Sequence, residues 1–329
     1  MGSRIVGINL AKNGSLAILQ DGELEFYLEE ERVTKIKRDV SAKALAAQYI
    51  DSTVDAVTLT DCYTRYTPQT YLERTMAKNK LVNIVKRNGC DNIIDYRTRH
   101  HECHAAAALH NSGFDDAAVL VMDGKGSVYH QDGLRFCESE SIYDNLTPVF
   151  KHYSTFWSED ESKKIEHPYW SGGNLFSNRT SIGQAFRRVS RYCGFDEIEG
   201  GKTMGLSAYG KGEVNLFNEE YDHSLCSHDL RPEGNGTAYV GPEVSKEDLA
   251  YNLQKSAERH AIFMIKKTMK LTGKKNVCVS GGFFLNCVSN YAIIKELDIN
   301  LYCDPIAYDG GNAIGSALLN YHENSLSRT

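Results

Sequence analysis

Short apolar runs alternate with longer stretches of helical periodicity along this chain of 329 residues, a pattern typical of α/β proteins. The first two runs, 5–10 and 15–19, flank the turn Lys12-Asn13-Gly14, whose Asn-Gly pair supplies the positive φ that a β-hairpin needs. Strands are also predicted over 24–28, 56–60, 117–122, 277–280, 301–306 and within 128–153, and helices over 42–50, 71–86, 180–192 and 245–270. The charged run 29–39 predicts a solvated surface loop with a short helix.

A helix predicted to begin near His100 places two histidines one turn apart. Residues 105–109 are strong helix formers, so His100 and His104 project from one helical face, where two imidazoles can bind one metal ion. The strand 117–122 delivers Asp123 into a glycine turn, at the kind of strand end where open α/β sheets hold ligands. Asp309, in a second glycine turn before a helix, is the fourth candidate ligand.

This donor set suits a borderline cation such as Fe²⁺, Mn²⁺ or Zn²⁺ and leaves positions open for a substrate oxygen. The alternative for the histidine pair is an ordinary role as surface or hydrogen-bonded side chains. The alternative for Asp309 is helix capping.

Four glycine-containing turns can bring backbone N–H groups close to a phosphate. An ordinary hairpin is the alternative for the first turn, and a flexible connector is the alternative for the third. A further loop, 171–174, is expected over the site, and 232–242 is expected to be a surface loop. The residues predicted to contact a nucleotide cofactor in the four turns are Asn13, Ser15, Gly124, Gly126, Gly201, Gly205, Gly281, Gly282 and Asn286.

The formal net charge of −6 argues against a protein whose whole surface binds nucleic acid. Lysine pairs at 266–267 and 274–275 leave a local nucleic-acid contact open, with a solvated helix face as the alternative. The nine cysteines form no CxxC pair and are expected to be reduced thiols. Because no apolar run reaches the length of a membrane span and no signal-peptide pattern is present, we expect a cytoplasmic protein without membrane contact.

Segments spread over nearly the whole chain together resemble the carbamoyltransferase family that includes nodulation-factor and antibiotic O-carbamoyltransferases. The combination is far more specific than any one segment. The matching segments are Glu29-Glu30-Glu31-Arg32, His100-His101-x-x-His104-Ala105-Ala106, Val121-Met122-Asp123-Gly124-x-Gly126, Gly201-Lys202-Thr203-Met204-Gly205-Leu206-x-x-Tyr209-Gly210, Ser280-Gly281-Gly282-x-x-Leu285-Asn286-Cys287 and Asp309-Gly310-Gly311-x-Ala313-Ile314-Gly315.

The resemblance implies an α/β chain with the duplicated fold of actin, the heat-shock ATPases and the sugar kinases. It implies two packed subdomains and a central nucleotide cleft, with approximate lobes of 1–115 with 312–329, and 116–311. It also implies a divalent metal, often iron, held by the residues matching His100, His104, Asp123 and Asp309.

The reaction implied is transfer of a carbamoyl group from carbamoyl adenylate, made from carbamoyl phosphate and ATP with Mg²⁺, to an acceptor hydroxyl. We expect the metal to act as a Lewis acid on the activated donor. His101 is the nearest candidate for a general base, with a surface or outer-shell role as the alternative. Lys202 is the second predicted catalytic residue.

The chain departs from the family pattern in two places. The first hairpin turn lacks the histidine that is usual there, so no histidine contact is expected from it. The second domain of the family, which forms carbamoyl adenylate, is absent from the chain, so we expect such a domain or protein to act in trans.

Several functions remain open at this point. The acceptor is either a small molecule or sugar, or a hydroxymethylated pyrimidine of a nucleotide or of DNA. One alternative reaction is threonylcarbamoyl transfer to tRNA. A non-catalytic nucleotide-binding scaffold subunit is the alternative from another class of protein.

Overall fold

The computed structural model describes residues 2–62, 68–131, 134–155, 169–177, 181–212 and 244–326, without the side chains of 68–74, 155 and 326. The chain divides into two compact units. Unit 1 comprises Met1–Phe114, Gly126–Val128 and Asp304–Thr329, and unit 2 comprises Asp115–Lys125 and Tyr129–Cys303.

Strands and helices alternate in the first part of the chain and again near its end. The elements, in chain order, are β1 (Arg4–Asn9), β2 (Ser15–Gln20), β3 (Glu23–Glu29), α1 (Glu30–Thr34), α2 (Lys43–Tyr49), β4 (Ala56–Thr60), α3 (Pro68–Arg87), β5 (Ile93–Asp95), α4 (His100–Ser112), β6 (Ala118–Met122), β7 (Val128–Gln131), β8 (Leu134–Asp144), β9 (Thr147–Thr155), β10 (Tyr169–Ser171), β11 (Asn174–Ser177), α5 (Ile182–Cys193), α6 (Gly200–Leu206), α7 (Lys246–Thr272), β12 (Asn276–Ser280), α8 (Cys287–Glu296), β13 (Asn300–Cys303) and α9 (Asn312–Leu326).

Unit 1 is built on a five-stranded sheet with the order β3-β2-β1-β4-β5. The predicted hairpin is confirmed: β1, β2 and β3 are successively antiparallel, whereas β4 lies parallel to both β1 and β5. On one side of the sheet, apolar residues of the strands form a core with Leu45, Ala46, Leu81 and Val85 of α2 and α3. Helix α9 packs against β1 and also against α4.

Two glycines allow α9 to lie unusually close to its neighbours. A Cβ atom on Gly7 would be 1.8 Å from the carbonyl oxygen of Ala313, and one on Gly315 would be 1.8 Å from that of Cys103. Because any side chain would collide with backbone at either position, both glycines are required by packing. The close approach brings the first turns of α4 and α9 together, and these turns carry the candidate site.

Unit 2 contains a sheet with the order β10-β11-β9-β8-β6-β12-β13, with β7 also paired to β8. Strands β6, β12 and β13 are parallel, and α7 packs against β6 and β8. Ser245 caps α7 as predicted, since its Oγ accepts from the backbone N–H of Asp248 at 3.0 Å. Gly281 has φ +99°, and a Cβ there would lie 2.2 Å from the carbonyl oxygen of Met122.

The charged run 29–39 contains the predicted short helix, α1, and its residues from 31 onward are exposed or partly exposed, but its first two residues differ from the prediction. Glu29 and Glu30 are buried, at 7% and 1% exposure. The Glu30 carboxylate accepts hydrogen bonds from the backbone N–H groups of Ala44 and Leu45, at 2.7 and 3.0 Å, and so satisfies the start of α2. Charge pattern alone could not reveal this contact, because it joins residues 14 and 15 positions apart.

A flexible connector is wrong for the glycine-rich stretch from 200, and the predicted loop 171–174 is a hairpin turn. The glycine-rich stretch from 200 forms helix α6, and 171–174 is the tight turn of the β10–β11 hairpin, separated from β6 by β9 and β8. The chain returns to unit 1 at Asp304, earlier than the predicted boundary at 312, because β13 ends at Cys303. The predicted turn at 132–133 and the loop 232–242 lie outside the described residues.

Across the described ranges, no helix combines the length and apolar composition that a membrane crossing requires.

Candidate metal centre

The first turn of α4 carries a buried pair of histidines. The backbone N–H of His100 donates to Ser127 Oγ at 3.0 Å, which satisfies one of the open donors at the helix N-terminus. His100 and His104 are 0% and 1% exposed, and their Nε2 atoms lie 3.2 Å apart. The predicted helix and the shared face of the two histidines are therefore confirmed.

Asp309 extends this pair to three donors within unit 1. It begins the short 3₁₀ turn Asp309–Gly311 that leads into α9. Its Oδ1 lies 3.5 Å from His100 Nε2 and 3.9 Å from His104 Nε2. In the plane of these three atoms one point lies about 2.1 Å from each, a typical bond length from a divalent cation to nitrogen or carboxylate oxygen. Two imidazoles and a carboxylate also match the donor chemistry of Fe²⁺, Mn²⁺ and Zn²⁺, so these residues fit a cation of that class.

Asn312, the first residue of α9, lies beside one of the histidines. Its Nδ2 is 3.3 Å from His100 Nδ1 and 3.5 Å from His100 Nε2. The residue is fully buried, and within the described part of the chain its Oδ1 has no hydrogen-bond partner. A histidine that binds a metal through Nε2 carries its proton on Nδ1, so Asn312 supports such a histidine with its Oδ1 turned toward Nδ1 as the acceptor. Sequence reasoning passed over Asn312 because it occupies the unassigned position of the motif Asp309-Gly310-Gly311-x.

Strands β2 and β3 of unit 1 contact the turn that carries Asp309. Ser15 Oγ donates to the carbonyl oxygen of Gly310 at 2.7 Å, and the Tyr308 hydroxyl donates to the Glu29 carboxylate. Burial raises the pKa of Tyr308, and the Glu29 carboxylate raises it further, so the phenol stays protonated and able to donate. Sequence reasoning assigned no role to Tyr308, since its partner lies on a distant strand.

Asp123 belongs to unit 2, where it follows β6 and is 7% exposed. The backbone N–H of Gly282 donates to its Oδ1 at 3.2 Å. Strands β6 and β12 pair in parallel up to Val121 and Ser280, so their carboxyl ends bring Asp123 beside the Gly281-Gly282 turn. The position of Asp123 directly after a buried strand was predicted, its contact with Gly282 was not, and its role as a metal ligand stays a prediction.

The two residues predicted to be catalytic, His101 and Lys202, lie in different environments. His101 is fully buried, so a surface role is wrong for it. Its ring centroid lies 6.0 Å from that of His100 and 6.4 Å from that of His104. Lys202, in unit 2, has a side chain 58% exposed and paired with Glu199 at 2.8 Å. The catalytic roles of His101 and Lys202 stay predictions.

The predicted nucleotide contacts occupy both units. In unit 1, Asn13 Nδ2 donates to Glu29 at 3.2 Å, and Ser15 is fully buried. In unit 2, the carbonyl oxygen of Gly124 accepts from Ser181 Oγ at 2.7 Å, and the side chain of Asn286 caps α8 by accepting from the N–H of Ser289 at 3.0 Å. A Cβ on either of two α6 glycines would have nothing within 4 Å; these are Gly201 and Gly205.

Solved structures establish the fold class. An activator of 2-hydroxyisocaproyl-CoA dehydratase from Clostridium difficile, solved with bound ADPNP, aligns over 100% of this chain and 97% of its own with a TM-score of 0.50 and 13% identity. Full-length HypF, solved in a phosphate- and nucleotide-bound form, aligns over 97% of this chain and 55% of its own with a TM-score of 0.51 and 14% identity. The predicted α/β class of actin, the heat-shock ATPases and the sugar kinases is confirmed.

The sequence comparisons give the family. Residues 42–318 match the family model Carbamoyltransferase N-terminus, and the chain therefore belongs to that carbamoyltransferase family. An uncharacterized protein of Synechocystis sp. is 25% identical, over 98% of this chain and 57% of its own length. Nodulation protein NolNO of Sinorhizobium fredii is 23% identical, over 94% and 46%, and nodulation protein U of Rhizobium fredii is 25% identical, over 95% and 59%. The chain spans about half the length of these relatives.

Proposed function

We propose that this chain transfers a carbamoyl group from carbamoyl adenylate to an acceptor hydroxyl, with a divalent cation held by His100, His104 and Asp309. The family assignment supports carbamoyl transfer. The observation that carries the metal is the convergence in unit 1 of two imidazole nitrogens and one carboxylate oxygen, with no pair more than 3.9 Å apart. Fe²⁺ is the proposed cation, because two histidines with a carboxylate are the donor set of non-haem Fe(II) sites.

Asp123 is the fourth ligand in this proposal. Its support is a buried carboxylate at the carboxyl end of β6, where the backbone N–H of Gly282 donates to it. Hydrogen bonds of this kind orient carboxylates that bind metals.

A bound cation would supply Lewis-acid polarisation of the carbamoyl carbonyl. The acceptor oxygen forms a bond to the carbamoyl carbon, the bond from that carbon to the phosphate oxygen breaks, and AMP leaves with the electron pair. The hydroxyl proton passes to the released phosphate, and the product is an O-carbamate. The role of the chain is to hold the donor and the acceptor in line. Such orientation can lower the activation barrier of the transfer by several kcal/mol.

The nucleotide part of the proposal rests on the fold. The activator and HypF structures were solved with nucleotides, which supports a nucleotide in a protein of the same fold. The relatives are about twice as long as the stretch that matches this chain. We propose that an adenylate-forming domain, using carbamoyl phosphate and ATP with Mg²⁺, supplies the donor.

The test combines the purified chain, Fe²⁺ and preformed carbamoyl adenylate with a panel of alcohols, sugars and hydroxymethylated DNA. Products are identified by mass spectrometry, and bound metal is measured by elemental analysis. We expect His104→Ala to lose the metal and to slow transfer about 100-fold or more, because one of three converging donors is removed. Transfer by His104→Ala at the wild-type rate, with no bound metal, overturns the proposal.

His110→Ala is the matched control, since His110 lies in the last turn of the same helix and is only partly buried. It is expected to keep both metal and transfer. A further arm offers threonylcarbamoyl adenylate and tRNA. A product in that arm alone replaces the proposal with threonylcarbamoyl transfer, and nucleotide binding without any product replaces it with the scaffold role.

A further inference from the structure

Strands β2 and β3, which pair at Ser15 and Glu29, make two hydrogen bonds to the turn that carries Asp309. Ser15 Oγ, fully buried, donates to the carbonyl oxygen of Gly310 at 2.7 Å. Glu29, at the end of β3, accepts from the hydroxyl of Tyr308, the residue immediately before Asp309. Asn13 Nδ2 in turn donates to the second oxygen of Glu29 at 3.2 Å, which ties the hairpin turn into the same network.

Two tyrosine side chains lie close to the backbone of the turn at Gly310. A Cβ atom on Gly310 would lie 2.7 Å from the Tyr308 ring and 2.8 Å from the Tyr27 hydroxyl. The Tyr27 hydroxyl also donates to Glu29, at 3.4 Å. Contacts therefore hold the turn on both sides of Asp309, at Tyr308 and at Gly310.

These contacts indicate a structural role for the side chains of Asn13 and Ser15 that the sequence did not suggest. Asn13 and Ser15 were predicted to lie in a turn whose backbone N–H groups contact a phosphate, which stays a prediction, and their side chains donate to protein oxygens. A carboxylate must be held within a few tenths of an ångström to keep three donors converging on one point. Supporting contacts one residue away from a metal ligand supply that precision.

We propose that the paired ends of β2 and β3, at Ser15 and Glu29, hold the ligand Asp309 in place, with Ser15 and Tyr308 as the positioning residues, and that the first hairpin turn does not contact the nucleotide. This inference rests on the metal-binding part of the proposed function. It requires neither a carbamoyl donor nor an acceptor.

The test measures two affinities on the same full-length variants, with Co²⁺ alone as the metal probe and AMP as the nucleotide probe. We expect Ser15→Ala and Tyr308→Phe each to raise the Kd for Co²⁺ about 10- to 100-fold, the usual effect of losing an outer-shell partner. Their Kd for AMP is expected to stay within about 2-fold of wild type, because no nucleotide contact is lost. The visible spectrum of bound Co²⁺ is expected to change in Tyr308→Phe, since the carboxylate is no longer fixed.

Thr58→Val is the matched control. Thr58 Oγ1 and Ser316 Oγ share a hydrogen bond of 2.9 Å, and both residues are fully buried in unit 1. The variant removes one buried hydroxyl from the same unit without touching the turn, so its Co²⁺ affinity and spectrum are expected to match wild type.

The possible outcomes distinguish the positioning role from a hairpin turn that contacts phosphate. Loss of AMP binding in Ser15→Ala and Tyr308→Phe, with Co²⁺ affinity unchanged, overturns the positioning role and restores the phosphate-facing hairpin. An equal loss of Co²⁺ affinity in Thr58→Val overturns it as well, because the effect would then be general destabilisation. If wild type binds neither Co²⁺ nor Fe²⁺, the metal part of the proposed function fails and this inference fails with it. If Co²⁺ binding follows the expected pattern but no carbamoyl transfer is found, only the proposed function fails.

Discussion

The pKa of a single buried carboxylate, that of Glu140, depends on its hydrogen-bond partners. Glu140 of unit 2 is 2% exposed. His152 Nδ1 donates to one of its oxygens at 3.0 Å, and His260 Nε2 donates to the other at 2.6 Å. Burial by itself raises the pKa of Glu140, but the charge of His260 and the hydrogen bonds from both histidines outweigh it and hold the pKa well below its usual value.

The sign of this shift predicts how stability depends on pH. Because the folded pKa is depressed, the stabilisation from ionised Glu140 is complete above its unfolded pKa of about 4.5 and is lost as the pH falls below that value. We expect Glu140→Gln to lower the free energy of unfolding at pH 7 by about 3 kcal/mol, because it leaves buried imidazoles without their carboxylate. The deficit relative to wild type is expected to shrink by up to about 1.4 kcal/mol per pH unit below 4.5.

Urea unfolding at several pH values measures this difference. Glu296→Gln serves as the control, since Glu296 is 49% exposed and pairs with Lys266 at the surface. Its effect is expected to stay below about 1 kcal/mol. A deficit in Glu140→Gln that is constant from pH 7 to pH 3 contradicts the prediction.

At the scale of elements, the candidate centre depends on how closely two helices approach. Helix α4 supplies both histidines, and the turn before α9 supplies Asp309. The helices can meet only because Gly315 leaves room for the carbonyl oxygen of Cys103. Packing at Gly315, which has no side chain, therefore sets the distances between the proposed ligands.

Gly315→Ala tests that dependence. The added Cβ would lie 1.8 Å from a backbone oxygen, so α4 and α9 must separate. We expect a loss of about 3 kcal/mol of unfolding free energy, together with weaker Co²⁺ binding. Gly200→Ala, on α6, is the comparison, because the added Cβ meets only the Phe186 side chain at 3.9 Å. It is expected to change stability by no more than about 1 kcal/mol, in the stabilising direction. Wild-type stability and Co²⁺ affinity in Gly315→Ala would contradict this account.

At the scale of the whole molecule, the residues predicted as one metal site come from two units. His100, His104 and Asp309 belong to unit 1, and Asp123 belongs to unit 2. A cation that binds ligands from both units stabilises both against local unfolding, whereas a cation bound by unit 1 alone stabilises only that unit.

Hydrogen exchange with and without Fe²⁺ distinguishes these cases. In wild type at a cation concentration about 100 times the Kd, we expect an increase in opening free energy of about 2.7 kcal/mol in α4 and α9 and also in β6 and β12. Asp123→Asn is expected to keep the effect in unit 1 and to lose it in unit 2. Asp116→Asn, which changes a surface carboxylate paired with Lys274 just before β6, is expected to behave as wild type. If wild type shows no metal-dependent protection in β6 and β12, Asp123 is not a ligand.

Much of the architecture followed from local signals. The Asn-Gly hairpin, the buried strand before Asp123 and the Ser245 cap each depend on residues within a few positions of one another, so the sequence predicted them directly. The face shared by His100 and His104 is likewise a consequence of helical periodicity. Glycine-rich stretches were less informative, because a glycine that lies in a helix and one that lies in a loop read alike, as α6 shows.

The sequence by itself determined which residues have metal-binding chemistry and which elements carry them, since helical and strand periodicities are local properties of the chain. Only the tertiary structure decided that Asp309 reaches the two histidines, that Asn312 lies against His100, and that Ser15 and Tyr308 hold the Asp309 turn. Some of these contacts join residues more than 200 positions apart. Their existence depends on backbone packing at positions such as Gly7 and Gly315, which periodicity does not specify.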